Sequence, residues 1–173
     1  MNVKYTTLVR EMKEEFKNFE VIEKDTSKLM KFLYSIALMK FWNPDFMTRY
    51  TTTLFGKVYM PYGLIDTTTG YSVLRHERVH LRDAKRFPVL FEISYLLLFP
   101  AILTMRAFWE YRAYCESLAV YAELQGSVRE YQIDITIDQF TGKYYLWMFP
   151  FRKLLKRKFL RFLDENRIKV QFY

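Results

Sequence analysis

Residues 71–87 read Tyr-Ser-Val-Leu-Arg-His-Glu-Arg-Val-His-Leu-Arg-Asp-Ala-Lys-Arg-Phe, and Pro88 follows them. Apolar side chains recur here at helical spacing and charged side chains fill most other positions. The stretch therefore predicts an amphipathic helix that stops before the proline. It contains both histidines of the chain, His76 and His80, in the pattern His-Glu-x-x-His. Residues four apart share one helix face, so the two imidazoles can converge on one metal ion.

Zinc is the expected ion, because neutral imidazole suits it and a catalytic zinc site keeps one coordination position for water. The metal lowers the pKa of that water to about 7. Glu77 would lie beside the open position, take the proton of the attacking water and pass it to a leaving amine. Asp83 shares the face of the histidines and can orient His80 through a hydrogen bond, although an exposed aspartate without that role fits the spacing equally well.

A third protein ligand must be a carboxylate or Cys115, since the chain has no further histidine. The segment Arg106-Ala-Phe-Trp-Glu-Tyr-Arg-Ala-Tyr-Cys-Glu116 predicts a second helix that continues to Gly126. Glu110 is the favoured ligand, because small and apolar residues line its helix face. Glu116 is the alternative if another face of the helix is turned towards the metal.

The pairing of His76-Glu-x-x-His80 with a later helix that contains Glu110-Tyr-Arg-Ala resembles the gluzincin branch of zinc metallopeptidases. That branch includes thermolysin and the prenyl-protein and heat-shock membrane endopeptidases. The resemblance implies that His76, His80 and Glu110 bind zinc and that Glu77 is the general base. It covers only two helices, and the chain departs from it at Tyr114, where those families usually place an aspartate that supports a metal-bound histidine. The size of the chain also resembles small stand-alone zincin-like proteins of bacteria and bacteriophages.

Two further residues are candidates for the catalytic machinery. Tyr114 and Arg106 lie four residues on either side of Glu110 and therefore share its helix face. Either side chain can donate a hydrogen bond to the oxyanion that forms when water adds to a carbonyl. Packing or a surface ion pair is the alternative use for each.

The composition favours one helix-rich domain that covers residues 1–173. Apolar residues make up 51%, aromatic residues 19%, and glycine and proline together number only ten, which excludes a disordered chain and a turn-rich β-sandwich. Residues 51–54 and 57–60 are β-branched and aromatic around Phe55-Gly56, the pattern of a hairpin. In residues 127–149 the isoleucines alternate as in a strand but also fit a helix.

The fold class predicted is therefore α+β: a mainly helical, compact zincin-like domain with a small sheet or hairpin beside the metal helix. An edge of that sheet can pair with an extended peptide, or the hairpin can be purely structural.

Residues 87–105 contain one charge, Glu92, and approach the roughly 20 apolar residues that span a bilayer. A single crossing would separate the histidines from Glu110, so the run predicts a buried helix with a break near Pro100 and no transmembrane span. A shallow contact with a membrane surface is the alternative. The first residues contain no apolar run typical of a signal peptide and the chain has one cysteine, so we expect a cytoplasmic location.

The net charge of +8 is concentrated near the end of the chain. Residues 152–169 contain eight basic and two acidic residues, a net charge of +6. Apolar residues recur among them at helical spacing, which predicts a basic amphipathic helix at about 151–167. Such a helix can dock on the core with its charges solvated, or residues 152–161 can bind an anionic partner, either nucleic acid or anionic lipid.

The sequence thus predicts a zinc metallopeptidase that acts on a peptide or protein substrate, with its oligomeric state open. One alternative is a zinc hydrolase of another amide, although deformylases take a cysteine ligand from before the histidine motif and Cys115 comes after it. The other is a non-catalytic structural or binding protein, in which a metal holds two helices together and the basic tail binds nucleic acid or lipid.

Overall fold

The computed structural model describes residues 1–35, 44–96, 105–142 and 148–172. Within these ranges the chain forms seven helices and five short strands, a mainly helical α+β fold, as the sequence predicts. The chain divides into two compact units, Met1–Leu81 and Arg82–Tyr173. The division falls within the third helix, whose last residues belong to the second unit.

The first unit consists of a small three-stranded sheet and helices. Its elements are α1 (Val3–Glu15), β1 (Glu20–Glu23), α2 (Lys28–Ser35), β2 (Thr52–Leu54), β3 (Lys57–Met60) and most of α3 (Thr68–Arg86). Asn2 caps the start of α1, and its side-chain oxygen accepts a 3.1 Å hydrogen bond from the backbone N–H of Tyr5. This cap satisfies a backbone donor that the first turn of a helix leaves without an intrahelical partner.

The sheet has the order β1-β3-β2, with β1 parallel and β2 antiparallel to β3. The predicted hairpin is confirmed: β2 and β3 are joined by Phe55 and Gly56, which have φ angles of 51° and 77°. Positive φ at both central residues is typical of the tight turns that match the twist of a two-stranded hairpin. β2 is therefore an edge strand of this sheet.

The second unit is a helical cluster with one pair of short strands. Its elements after α3 are α4 (Pro88–Leu96), α5 (Met105–Gln125), β4 (Val128–Arg129), α6 (Glu130–Thr141), α7 (Arg152–Glu165) and β5 (Val170–Gln171). β4 and β5 pair in parallel. The predicted basic helix is present as α7, and the predicted ligand helix as α5.

The core of the second unit is apolar. α7 contributes Leu155, Phe159 and Leu163, spaced four residues apart, and α6 contributes Ile133 and Ile137 among others. This packing shows that the ambiguous stretch after residue 127 is helical. A helix buries Ile133 and Ile137 together, whereas a strand would place Ile135 on the same buried face. Ile135, the third isoleucine of the alternation, is 55% exposed.

The helix around the histidine motif runs from Thr68 to Arg86, slightly longer than predicted at its start. Pro88 does follow it, but this proline also begins α4, where its missing N–H leaves no helical hydrogen bond unmade. The predicted break near Pro100 lies outside the described residues. Among the described residues, no helix has the length and apolar character that a membrane crossing needs.

Candidate metal centre

The first turn of α3 is held tightly against the loop before it. Thr67 Oγ1 accepts a 2.9 Å hydrogen bond from the backbone N–H of Gly70 and donates one of 2.7 Å to the carbonyl of Leu64. A Cβ on residue 70 would lie 1.9 Å from that carbonyl oxygen, so only glycine fits there. The position at which the metal helix begins is therefore fixed by local contacts.

α3 and α5 supply three possible metal ligands. His76, His80 and Glu110 each offer one ligand atom, and these atoms all lie within 4.8 Å of one another. His80 and Glu110 are buried, with 3% and 1% of their surface exposed, and His76 is half-buried. Glu116 is not part of this group, so the geometry favours Glu110 as the carboxylate ligand.

The donor set fits a zinc ion, and so does the spacing of the two imidazoles. Tetrahedral zinc with ligand bonds of about 2.0–2.1 Å places neighbouring ligand atoms roughly 3.3 Å apart. The Nε2 atoms of His76 and His80 are 3.2 Å apart. Two imidazole nitrogens and one carboxylate oxygen are also the ligand types of hydrolytic zinc sites that leave one position open.

Glu77 is positioned by the sheet of the first unit. Its side chain is buried, and Thr53 Oγ1 on β2 donates a 2.7 Å hydrogen bond to Glu77 Oε2. The bond restricts the carboxylate to one orientation and leaves Oε1 able to accept a proton. The residue predicted to be the general base is thus tied directly to the edge strand.

A buried lysine contributes charge in the same unit. Lys24 is fully buried, its Nζ donates a 2.7 Å hydrogen bond to the carbonyl of Phe46, and it lies 3.8 Å from the centre of the Phe46 ring. Burial lowers the pKa of Lys24 to about 7, and the negative charge of Glu77 opposes this shift. The ammonium form of Lys24 therefore interacts favourably with the carboxylate of Glu77.

Asp83 is buried, which excludes the alternative that it is simply an exposed aspartate. Only 1% of its surface is accessible, and Arg112 Nη2 on α5 lies 3.1 Å from its Oδ1. Both residues belong to the second unit. The ion pair stabilises the charged carboxylate one helical turn after His80, while the hydrogen bond from Asp83 to His80 stays a prediction.

The remaining candidates on α5 lie in different surroundings. Tyr114 packs against the apolar core, with its ring centre 5.4 Å from that of Phe140. Arg106 is half-buried in the first turn, and the oxyanion roles of both residues stay predictions. Cys115 is buried in the same core, where burial raises the pKa of its thiol to about 12. Because the thiolate is the metal-binding form, Cys115 is a poor ligand.

Three residues beside the candidate ligands and the predicted base carry little or no signal in the sequence. Thr53 carries a weak signal, since it lies in the predicted hairpin just before the metal helix. Lys24 carries none, because a lysine between Glu23 and Asp25 looks like an ordinary surface charge. Arg112 likewise has no local feature that would pair it with Asp83.

Comparisons of the chain with protein-family models, with curated proteins and with solved structures gave no significant match. The chemistry of the centre is therefore inferred from its own residues.

Proposed function

We propose that the protein is a zinc-dependent metallopeptidase in which His76, His80 and Glu110 bind the metal and Glu77 is the general base. The observation that carries this proposal is the convergence of the three ligand atoms within 4.8 Å. The burial of His80 and Glu110 adds support, because an imidazole and a carboxylate withdrawn from water lose hydration that metal coordination replaces. The gluzincin resemblance agrees with the same assignment.

The residues of the chain account for the proton transfers. A bound zinc ion supplies a Lewis acid that polarises the scissile carbonyl and lowers the pKa of water. Glu77 accepts the proton of the water that attacks the carbonyl and donates it to the amine that leaves. Because Thr53 already donates a hydrogen bond to Oε2, the transferred proton is held at Oε1.

The edge strand favours a peptide over a small amide as the substrate. β2 pairs with β3 on one side, and no described strand pairs with its other side. An extended peptide can add to such an edge through main-chain hydrogen bonds. Thr53 belongs to β2 and contacts Glu77, so a peptide added to this edge runs beside the general base.

The decisive experiment measures metal content and hydrolysis in the same preparations. The native protein should purify with one equivalent of zinc and should cleave a mixture of unfolded proteins, detected by mass spectrometry of the fragments. Glu77→Gln should keep the zinc and lose roughly 10²- to 10⁴-fold in rate, the range that general base catalysis contributes. Glu110→Gln should lose zinc, whereas Glu116→Gln should keep it.

Glu14→Gln, at an exposed position of α1, is the matched control and should behave like the native protein. Full activity in Glu77→Gln, or native protein without zinc, would contradict the proposal. In the second case the close approach of the two imidazoles would be a hydrogen bond between the rings.

Chelation separates the peptidase from a protein in which zinc only holds helices together. The binding free energy of a structural zinc is part of the folding free energy of the chain, so removal of the metal unfolds the protein. The peptidase should instead stay largely folded and become inactive, as circular dichroism and the hydrolysis assay would show. Activity on small amides but not on peptides would favour a hydrolase of another amide.

We also propose a cytoplasmic location. The support is the single cysteine, which fits a reducing compartment.

A further inference from the structure

The basic residues of α7 fall into two groups with different surroundings. One group faces α6, where Glu130, Asp134 and Asp138 are spaced four residues apart. Lys156 Nζ lies 2.7 Å from Glu130 Oε1 and 3.3 Å from Asp134 Oδ1, and Arg152 pairs with Asp134 and Asp138. These contacts largely neutralise this flank of the helix, so it offers little to an anionic partner.

The other flank keeps its charge. Lys153, Arg157 and Lys158 are exposed, and none of them has a carboxylate partner in the part of the chain that the structure describes. Arg161 is 78% exposed at its side chain and pairs only with Glu165 of its own helix, among the described residues. Lys153, Arg157 and Arg161 follow one another at four-residue spacing, which places their Cα atoms about 6 Å apart along the helix. We call these four residues the basic stripe.

The basic stripe borders apolar and aromatic surface. Arg157 and Arg161 line two shallow grooves, one on each side of them. The first groove also contains Lys153, Lys156 and Leu160 and has Asp164 at its lining, and the second contains Lys158 beside Tyr111, Leu154 and Phe162 and has Glu165 at its lining. Lys158 Nζ lies 5.6 Å from the centre of the Tyr111 ring. Cations therefore outnumber the two carboxylates of the grooves and alternate with half-buried rings and aliphatic side chains on one surface.

We propose that the basic stripe binds a single-stranded nucleic acid without sequence preference. The regularly spaced cations contact successive phosphates, and the side chains of the grooves contact sugars and bases, the combination that single-strand binding surfaces use. Positive charge along one helix face in a chain with a pI of about 9.5 is the electrostatic pattern of such proteins. This inference is independent of the proposed peptidase activity.

The packing of α7 disfavours its insertion into a membrane. An interfacial helix buries its own apolar face among the lipids. The apolar face of α7, formed by Leu155, Phe159 and Leu163, is already packed in the core of the second unit. Only the charged face is left for a partner, which suits a phosphate backbone better than the interior of a bilayer.

The test is binding of fluorescein-labelled oligo-dT and oligo-U of about 20 nucleotides, followed by fluorescence anisotropy across a range of salt. Each phosphate neutralised on a single strand contributes about −0.7 to the slope of log affinity against log salt, so the stripe predicts a slope of roughly −2 to −3. Affinity should accordingly fall by about 30-fold between 50 and 200 mM salt.

Two triple variants with the same change in net charge test the location. Lys153→Gln/Arg157→Gln/Lys158→Gln should bind at least about tenfold more weakly and with a flatter slope. Arg10→Gln/Lys13→Gln/Lys17→Gln, at exposed positions of the first unit, should change affinity by less than about threefold. If the first triple variant does not fold, Arg157→Gln alone should still reduce the slope by about 0.7.

Three results would overturn the proposal. Equal losses in both triple variants would mean that binding follows net charge and not this surface. Equal or tighter binding to vesicles of phosphatidylserine and phosphatidylcholine, abolished by the first triple variant, would assign the stripe to an anionic membrane surface. No binding of either oligonucleotide at 50 mM salt would mean that the cations are simply solvated.

Discussion

α3 and α7 are both rich in charged residues, but they bury opposite kinds of side chain. α7 buries leucine and phenylalanine and leaves most of its cations in solvent. α3 buries Glu77, His80 and Asp83 along with its apolar residues. Burying polar groups costs free energy unless they gain partners or a metal ion. The buried polar residues of α3 therefore cost free energy of folding, which is expected where chemistry rather than stability selects the residues.

Substitutions on the two helices should therefore separate stability from metal binding. The buried residues of α7 contribute packing, so their loss should chiefly lower stability and should weaken metal binding only as far as the second unit, which contains Glu110, unfolds. Loss of the buried polar residues of α3 should chiefly weaken metal binding and should change stability less. Substitutions at Phe159 and Asp83 test this contrast, and a third at Lys24 tests the buried charge that interacts with Glu77.

Phe159→Ala should produce the largest effect on stability. The ring is fully buried in the apolar core, and removal of a buried phenylalanine costs about 3–5 kcal/mol through lost burial and the cavity that remains. Urea denaturation followed by circular dichroism measures this change. Lys153→Ala, on the exposed side of the same helix, should stay within about 0.5 kcal/mol. Equal effects of the two would mean that α7 does not pack as described.

Asp83→Asn should chiefly affect the metal. If Asp83 orients His80, zinc affinity should fall roughly 10- to 100-fold, as is typical when a group that supports a metal-bound histidine is lost. Competition with a chromophoric chelator measures the affinity. Asp164→Asn, an exposed position of α7, is the control. Unchanged zinc affinity together with lower stability would restrict Asp83 to its ion pair with Arg112.

Lys24→Met should change the pH dependence of stability. The folded pKa of Lys24, about 7, is below its unfolded value of 10.5, so the unfolded state binds more protons between these values. Stability from this group therefore rises with pH above 7, by at most about 1.4 kcal/mol per pH unit, and its penalty is fully present below pH 7.

The stability of the native protein relative to Lys24→Met should accordingly increase from pH 6.5 to pH 9, as thermal melts would show. Lys28→Met, at an exposed position of α2, should give a profile parallel to that of the native protein. A constant difference between native protein and Lys24→Met would mean that Lys24 keeps an ordinary pKa.

The parts that the sequence predicts well are those that depend on local patterns. The metal helix, the ligand helix, the hairpin and the basic helix each follow from spacing or turn residues, and the Phe55-Gly56 turn has the positive φ values that a tight hairpin needs. The two imidazoles also converge as predicted, because four-residue spacing on α3 leaves little freedom in where His76 and His80 project.

The parts that escape prediction depend on distant contacts. The helix at 130–141 is selected over a strand by packing against Phe159 and its neighbours, which no local pattern encodes. Lys24 is buried because the carbonyl of Phe46, distant in sequence, accepts its hydrogen bond. Asp83 and Arg112 meet through the packing of two helices. Single-sequence periodicity carries no information about such partners.

The hydrogen bond from Thr53 to Glu77 has a consequence for how the proposed enzyme responds to the length of its substrate. A peptide long enough to extend the sheet would stiffen β2, and with it the hydroxyl that aligns the base. A short peptide would reach the metal but leave that strand loose. The length of the peptide substrate would then change kcat more than KM. The binding free energy gained far from the scissile bond would be used to arrange the reacting groups.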